Sequence, residues 1–138
     1  MNESIWNEST KPNILNSTRL YFQDMFVGAK RMGRADFWWG LLGMTLLTVV
    51  LMTVFGFLMN VLSLRSFYWS AVMGVAFAMT FGYYWIAVFT ATIRRLHDRN
   101  MRGWWTLLYV IPIIGELLLV IFTVLPQKNS SKWPRFID

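Results

Sequence analysis

His97, the chain's only histidine, stands beside Asp98 in "TIRRLHDRNMRGWWTLL" (92–108), among Arg94, Arg95, Arg99 and Arg102. Guanidinium groups present planar forks of donors that match phosphate or carboxylate oxygens, so these arginines suit an anionic ligand. A His–Asp pair is one part of an acid–base device, but hydrolysis also needs a nucleophile and an oxyanion site, and a metal centre needs several ligands. The sequence has no cysteine, no second histidine and no HExxH. Neither catalysis by His97 nor a metal or other cofactor is therefore expected. The plainer reading of the block is a topology anchor in which Arg94 or Arg95 pairs with Asp98.

Glu116 is the second group that invites chemistry, because it is the only charge in the apolar run 104–125. Twelve residues into that run, it would lie about 18 Å deep in a membrane. A carboxylate at that depth is protonated or partnered. Counting inward along the neighbouring apolar runs brings Tyr83, Tyr84 and Thr48 to a similar level. An intramembrane polar cluster of Glu116, Tyr83, Tyr84 and Thr48 is expected, acting either as a register-fixing hydrogen bond or as a proton or ligand site. Met44, Met52 and Met59 fall near one face of the first run. Apolar packing accounts for them better than a copper site does.

These groups need elements to position them, and composition limits what those elements are. Hydrophobic residues make up 56% of the chain and charged ones 14%, which points to a membrane protein. The runs 37–59 and 67–93 carry no charge and 104–125 carries one, and each exceeds the roughly 20 residues needed to cross the hydrocarbon. The first starts late and is too long for a cleaved signal peptide, so it is expected to remain as an anchor. In 20–32, Tyr21, Phe22, Met25, Phe26 and Ala29 recur at helical spacing, as in a short amphipathic helix on the membrane surface. Ser70, Gly74, Ala78 and Gly82 repeat every fourth residue, a ridge on which another helix of this chain or of a second copy can pack closely.

Charge sets orientation. Lys30, Arg31 and Arg34 precede the first run and the four arginines follow the second, whereas the loop between them holds only Arg65. The N-terminus and the arginine loop are therefore expected in the cytoplasm. Three spans would then place Lys128, Lys132 and Arg135 outside, against the same rule. The alternative is a bend at Pro112 and Gly115 that returns the third run to the cytoplasm. Sequons at Asn2, Asn7 and Asn16 matter only if the N-terminal segment enters a glycosylating lumen, which this orientation disfavours.

Taken together, "GRADFWWG" (33–40), "RRLHDRNMRGWW" (94–105) and "IPIIGE" (111–116) resemble the signature of the domain of unknown function family 805, small bacterial inner-membrane proteins. Gly33, Arg34, Phe37, Trp38 and Trp39 match its upstream block. Arg94 to Asp98, Gly103, Trp104 and Trp105 match the loop block. The resemblance implies a bacterial cytoplasmic-membrane location and the same order of spans, and it brings no activity. The ending "QKNSSKWPRFID" departs from the Gly-rich Asn/Tyr ending often seen in the family.

The expected fold is an all-α membrane protein with three transmembrane helices preceded by a short interfacial amphipathic helix. A flexible polar tail covers 1–19, a single membrane domain 20–125, and a polar C-terminal tail 126–138. The expected role is non-catalytic binding of anionic lipid or a protein partner by Arg34, Arg94, Arg95, His97, Asp98, Arg99 and Arg102, with Trp104 and Trp105 setting depth. A small transporter or channel-like oligomer using Glu116 is the alternative. Membrane lipids, a membrane protein partner or further copies of the chain are the partners such a surface suits; nucleic acid is not expected, because the basic residues lie beside apolar spans rather than on a polar face.

Overall fold

The computed structural model describes residues 6–128 and 130–135, and all regular structure among them is helical. The sequon at Asn2 lies outside these residues. The elements are α1 (Ile14–Gln23), α2 (Arg34–Ser63), α3 (Phe67–Asp98), a 3₁₀ helix (Gly103–Val110) and α4 (Ile114–Val124).

The α2 and α3 helices have 30 and 32 residues, about 45 Å and 48 Å at 1.5 Å per residue, enough to cross a bilayer. Only 17% and 11% of their most apolar windows are buried. A soluble core helix would be covered; these turn Leu, Val, Phe and Trp side chains outward, as lipid contact requires. They form an antiparallel pair joined by the turn that carries Arg65. Thr45 Oγ1 and Tyr84 OH meet across the pair at 3.1 Å.

Asn13 starts α1 by accepting a hydrogen bond from the Asn16 amide at 2.8 Å, which satisfies one of the four unpaired amides of a helix start. The helix therefore begins before the expected 20–32 stretch and ends at Gln23. It packs against α2 where Gly40 and Gly43 leave no side chain: a Cβ at either position would run into Tyr21 or Thr18. Ser17 Oγ donates to Asp36 at 2.9 Å, and the Tyr21 hydroxyl donates to the Phe37 carbonyl at 2.8 Å. Residues 6–12 are not a loose tail either. The Ser9 amide donates to Asp36 at 3.0 Å, and Lys30 pairs with Glu8 at 2.6 Å.

The run 104–125 does not form the single membrane-length helix expected of it. Its 3₁₀ helix has 8 residues and α4 has 11, about 16 Å each, and neither alone crosses 30 Å of hydrocarbon. Pro112 lacks the amide that would continue a helix. At Ile113 the backbone takes φ 67°, ψ −67°, and the Ile114 amide donates to the Pro112 carbonyl at 2.8 Å, a γ-turn. Gly115 completes the bend, since a Cβ there would strike the Leu108 carbonyl. The two pieces form a hairpin whose ends both lie at the C-terminal end of α3. The break considered at Pro112 and Gly115 is thus present in the backbone.

Candidate functional site

The last turn of α3 is a buried charge cluster. Arg94, Arg95 and Asp98 are fully buried and His97 nearly so. Arg95 donates to the carbonyls of Thr123 at 3.0 Å and Leu125 at 2.5 Å, and its Nη1 to Asp98 Oδ2. The carbonyls it takes are among those that α4 leaves unpaired at its end. Arg31 donates through Nε at 3.0 Å and Nη2 at 2.8 Å to Asp98 Oδ1. Arg99 donates to the Pro126 carbonyl at 2.7 Å, and the Lys128 amide to the Asp98 carbonyl at 3.2 Å. Arg94 reaches Asp24 at 3.1 Å, and Asp24 also holds Lys30 at 2.5 Å. These contacts clamp the hairpin and the chain after it onto α3.

A cavity of about 660 Å³ lies beside the clamp. Past α3 the backbone turns through Asn100, whose φ of 59° suits that residue type, and delivers Arg102, Gly103 and Trp104 to one wall. Gly28 and Ala29 form another, and Lys132 and Trp133 a third. Trp133 stacks on the His97 ring at 3.8 Å with 11° between planes. The stack is pinned by Ser131 Oγ donating to the His97 carbonyl at 2.5 Å and by the Lys132 amide donating to Asn100 Oδ1 at 3.2 Å. Phe89, Ile93 and Leu107 supply an apolar floor, and no carboxylate among the described residues lines the cavity.

Its charge is positive, with the Lys132 ammonium 5.4 Å from the centre of the Trp133 ring. The Arg102 and Lys132 side chains are exposed and make no hydrogen bond or ion pair with any described residue. His97 lies past the apolar part of α3, which ends at Ile93. Burial holds its imidazole below the usual histidine range, and Lys132 pushes the same way, against the backbone carbonyls of Lys30 and Gly28. An apolar floor under a cationic rim can bind a molecule with an anionic head and an apolar body. Trp104, on the same lining, is 76% exposed.

The candidate residues thus separate. Arg102, His97 and Trp104 meet at the cavity, while Arg94, Arg95 and Asp98 are internal. Arg99 braces the chain at Pro126. Trp105 packs on Phe122 at 5.7 Å, and Arg34 lines a different cavity with Trp38 and Trp39. The expected polar cluster is split: Glu116 and Tyr84 share one cavity, Thr48 and Tyr83 another. The ridge is not the seam of the helix pair. Gly74 faces Met59, but Ala78 and Gly82 are exposed. Sequence reasoning missed Gly28, Ala29, Lys132 and Trp133 as walls and Arg31 as the partner of Asp98. The available signal was a tryptophan set among basic residues in "SKWPR".

Two membrane-length apolar helices closed at one end by a buried charge clamp define a helical membrane protein. The chain belongs to the family described as "Protein of unknown function (DUF805)", which it matches over residues 25–133. It is 52% identical over 29 residues to Inner membrane protein YhaH of Escherichia coli strain K12, covering 21% of this chain and 24% of that protein. It is 39% identical over 46 residues to Inner membrane protein YhaI of the same strain, covering 33% and 39%. The matched segments thus span well under half of either relative. No solved structure matches the chain.

Proposed function

We propose that this is a bacterial inner-membrane protein that holds an anionic, phosphate-bearing lipid at the cytoplasmic surface, in the cavity rimmed by Arg102, Lys132 and His97. The observation that carries this reading is the pairing of two unneutralised cations with an apolar floor in one cavity. The relatives named as inner membrane proteins support the location. Charge supports the orientation: of 13 Lys and Arg residues, all but Arg65 lie before the apolar run 37–59 or after the apolar run 67–93. In this reading α2 and α3 cross the membrane and the hairpin of the 3₁₀ helix and α4 dips in and returns. Both tails are then cytoplasmic, as the positive-inside rule favours. The role is binding, not catalysis. Asp98 acts through the clamp, and Trp104 sets the depth of the rim.

The test is native mass spectrometry of the protein in nanodiscs cut from its own membrane. An anionic lipid retained by the wild type and by Arg94→Gln, but lost from Arg102→Gln/Lys132→Gln, supports the reading. Equal retention by the double variant, or none by the wild type, refutes it.

A further inference from the structure

Glu116 is not on the lining of the basic cavity; it stands one turn past the bend and makes no hydrogen bond or ion pair with any described residue. It borders a second cavity of about 310 Å³ whose other walls include Trp38, Tyr84, Trp85 and Tyr109. The Trp85 ring meets Tyr109 edge-on at 5.9 Å and Tyr84 at 6.3 Å. Both tyrosine hydroxyls are already engaged, with Thr45 and Thr92 at 3.1 Å each, so the tyrosines offer the cavity their rings. No lysine, arginine or histidine lines it. A carboxylate in an apolar setting calls for a positive partner, and aromatic rings attract cations through their negative faces.

We propose that this second cavity binds an organic ammonium ion, quaternary or protonated, with Glu116 as counter-ion and Trp38, Tyr84, Trp85 and Tyr109 as an aromatic cage. A hard inorganic cation fits poorly, because calcium or magnesium needs about six oxygen ligands and Glu116 is the only carboxylate among the described residues on the lining. The size is within the range of small-molecule sites. The inference is independent of the anionic-lipid reading, since no residue is shared between the two cavities.

The probe is benzyltrimethylammonium, titrated against the full chain in phosphatidylglycerol nanodiscs and followed by tryptophan fluorescence. Its neutral isostere neopentylbenzene is the control. Saturable binding of the cation alone is expected, weakened about tenfold in Glu116→Gln and several-fold in Trp38→Leu, in keeping with a charge-assisted cation–π site. Equal binding by Glu116→Gln, equal binding of the neutral isostere, or no saturation in the wild type would each overturn the proposal. Trp38→Leu, which keeps the carboxylate, remains informative if Glu116→Gln fails to fold. Repeating the titration with phosphatidylethanolamine present distinguishes sources: displacement identifies a lipid ammonium headgroup as the occupant, and no displacement a free amine.

Discussion

Arg31 and Asp98, 67 residues apart in sequence, are joined by two hydrogen bonds of 3.0 and 2.8 Å from one guanidinium to one carboxylate oxygen. The other oxygen of Asp98 takes Arg95, so one anion holds two cations from different parts of the chain, and all three side chains are at most 3% exposed. Desolvating such charges is costly, and the arrangement is stable only while it is complete.

Removing the shared anion should therefore be severe. Asp98→Asn leaves two buried guanidinium groups without their counter-ion and is expected to cost about 3–5 kcal/mol. Denaturant unfolding in detergent measures this. A change below about 1 kcal/mol, the range of exposed ion pairs, would show that the cluster is solvated and not a clamp.

The hairpin makes a topological prediction. Because the sequence has no cysteine, single cysteines report cleanly. Ser130→Cys should react with an impermeant maleimide only in inverted vesicles, and Leu64→Cys only from the outer face of spheroplasts. Labelling of both from the same face would mean that the 104–125 segment crosses the membrane.

Gly115 should be intolerant of a side chain. The Cβ of Gly115→Ala would meet the Leu108 carbonyl, and backbone yields less readily than a flexible side chain. A loss of about 1–3 kcal/mol is expected, typical of overpacking. Gly82→Ala, with nothing within 4 Å of the added atom, should be near neutral in the same melting assay.

The sequence revealed these features unevenly. Charge-free runs announced α2 and α3, because a helix apolar enough to cross a membrane carries apolar side chains all around. The run containing Pro112 met the same hydropathy test, yet its backbone is decided by a missing amide and a missing Cβ, which hydropathy does not register. The RRLHD block was conspicuous, but its division of labour was not. Whether Arg95 or Arg102 faces a ligand depends on where Thr123, Leu125 and Arg31 arrive, and those are long-range consequences of the hairpin. Glu116 and Tyr84 were placed together by counting depth. The same count also put Thr48 and Tyr83 there, but they line a different cavity, because equal depth does not mean the same face of a helix.

Acid should act through His97. Burial lowers its pKa in the folded protein below the unfolded value of about 6.5, so the unfolded chain takes up the proton first. This contribution to stability is complete above about pH 6.5 and is lost as pH falls through the folded value. Ligand binding should run the other way, since a protonated His97 adds charge to the cationic rim. Thermal unfolding and anionic-lipid binding, each measured from pH 7.5 to 5.0, should show opposite trends that His97→Gln flattens. Parallel trends, or no effect of His97→Gln, would contradict this.

The most direct measurement of the lipid site is photocrosslinking with phosphatidic acid that carries a diazirine high on its acyl chain, beside the matching phosphatidylcholine. Adducts are mapped by peptide mass spectrometry. The account predicts phosphatidic acid adducts concentrated in the peptides holding Phe89, Ile93 and Leu107, reduced in Arg102→Gln/Lys132→Gln and unchanged in Arg65→Gln. Adducts spread evenly along α2 and α3, or equal labelling by the zwitterionic probe, would contradict it.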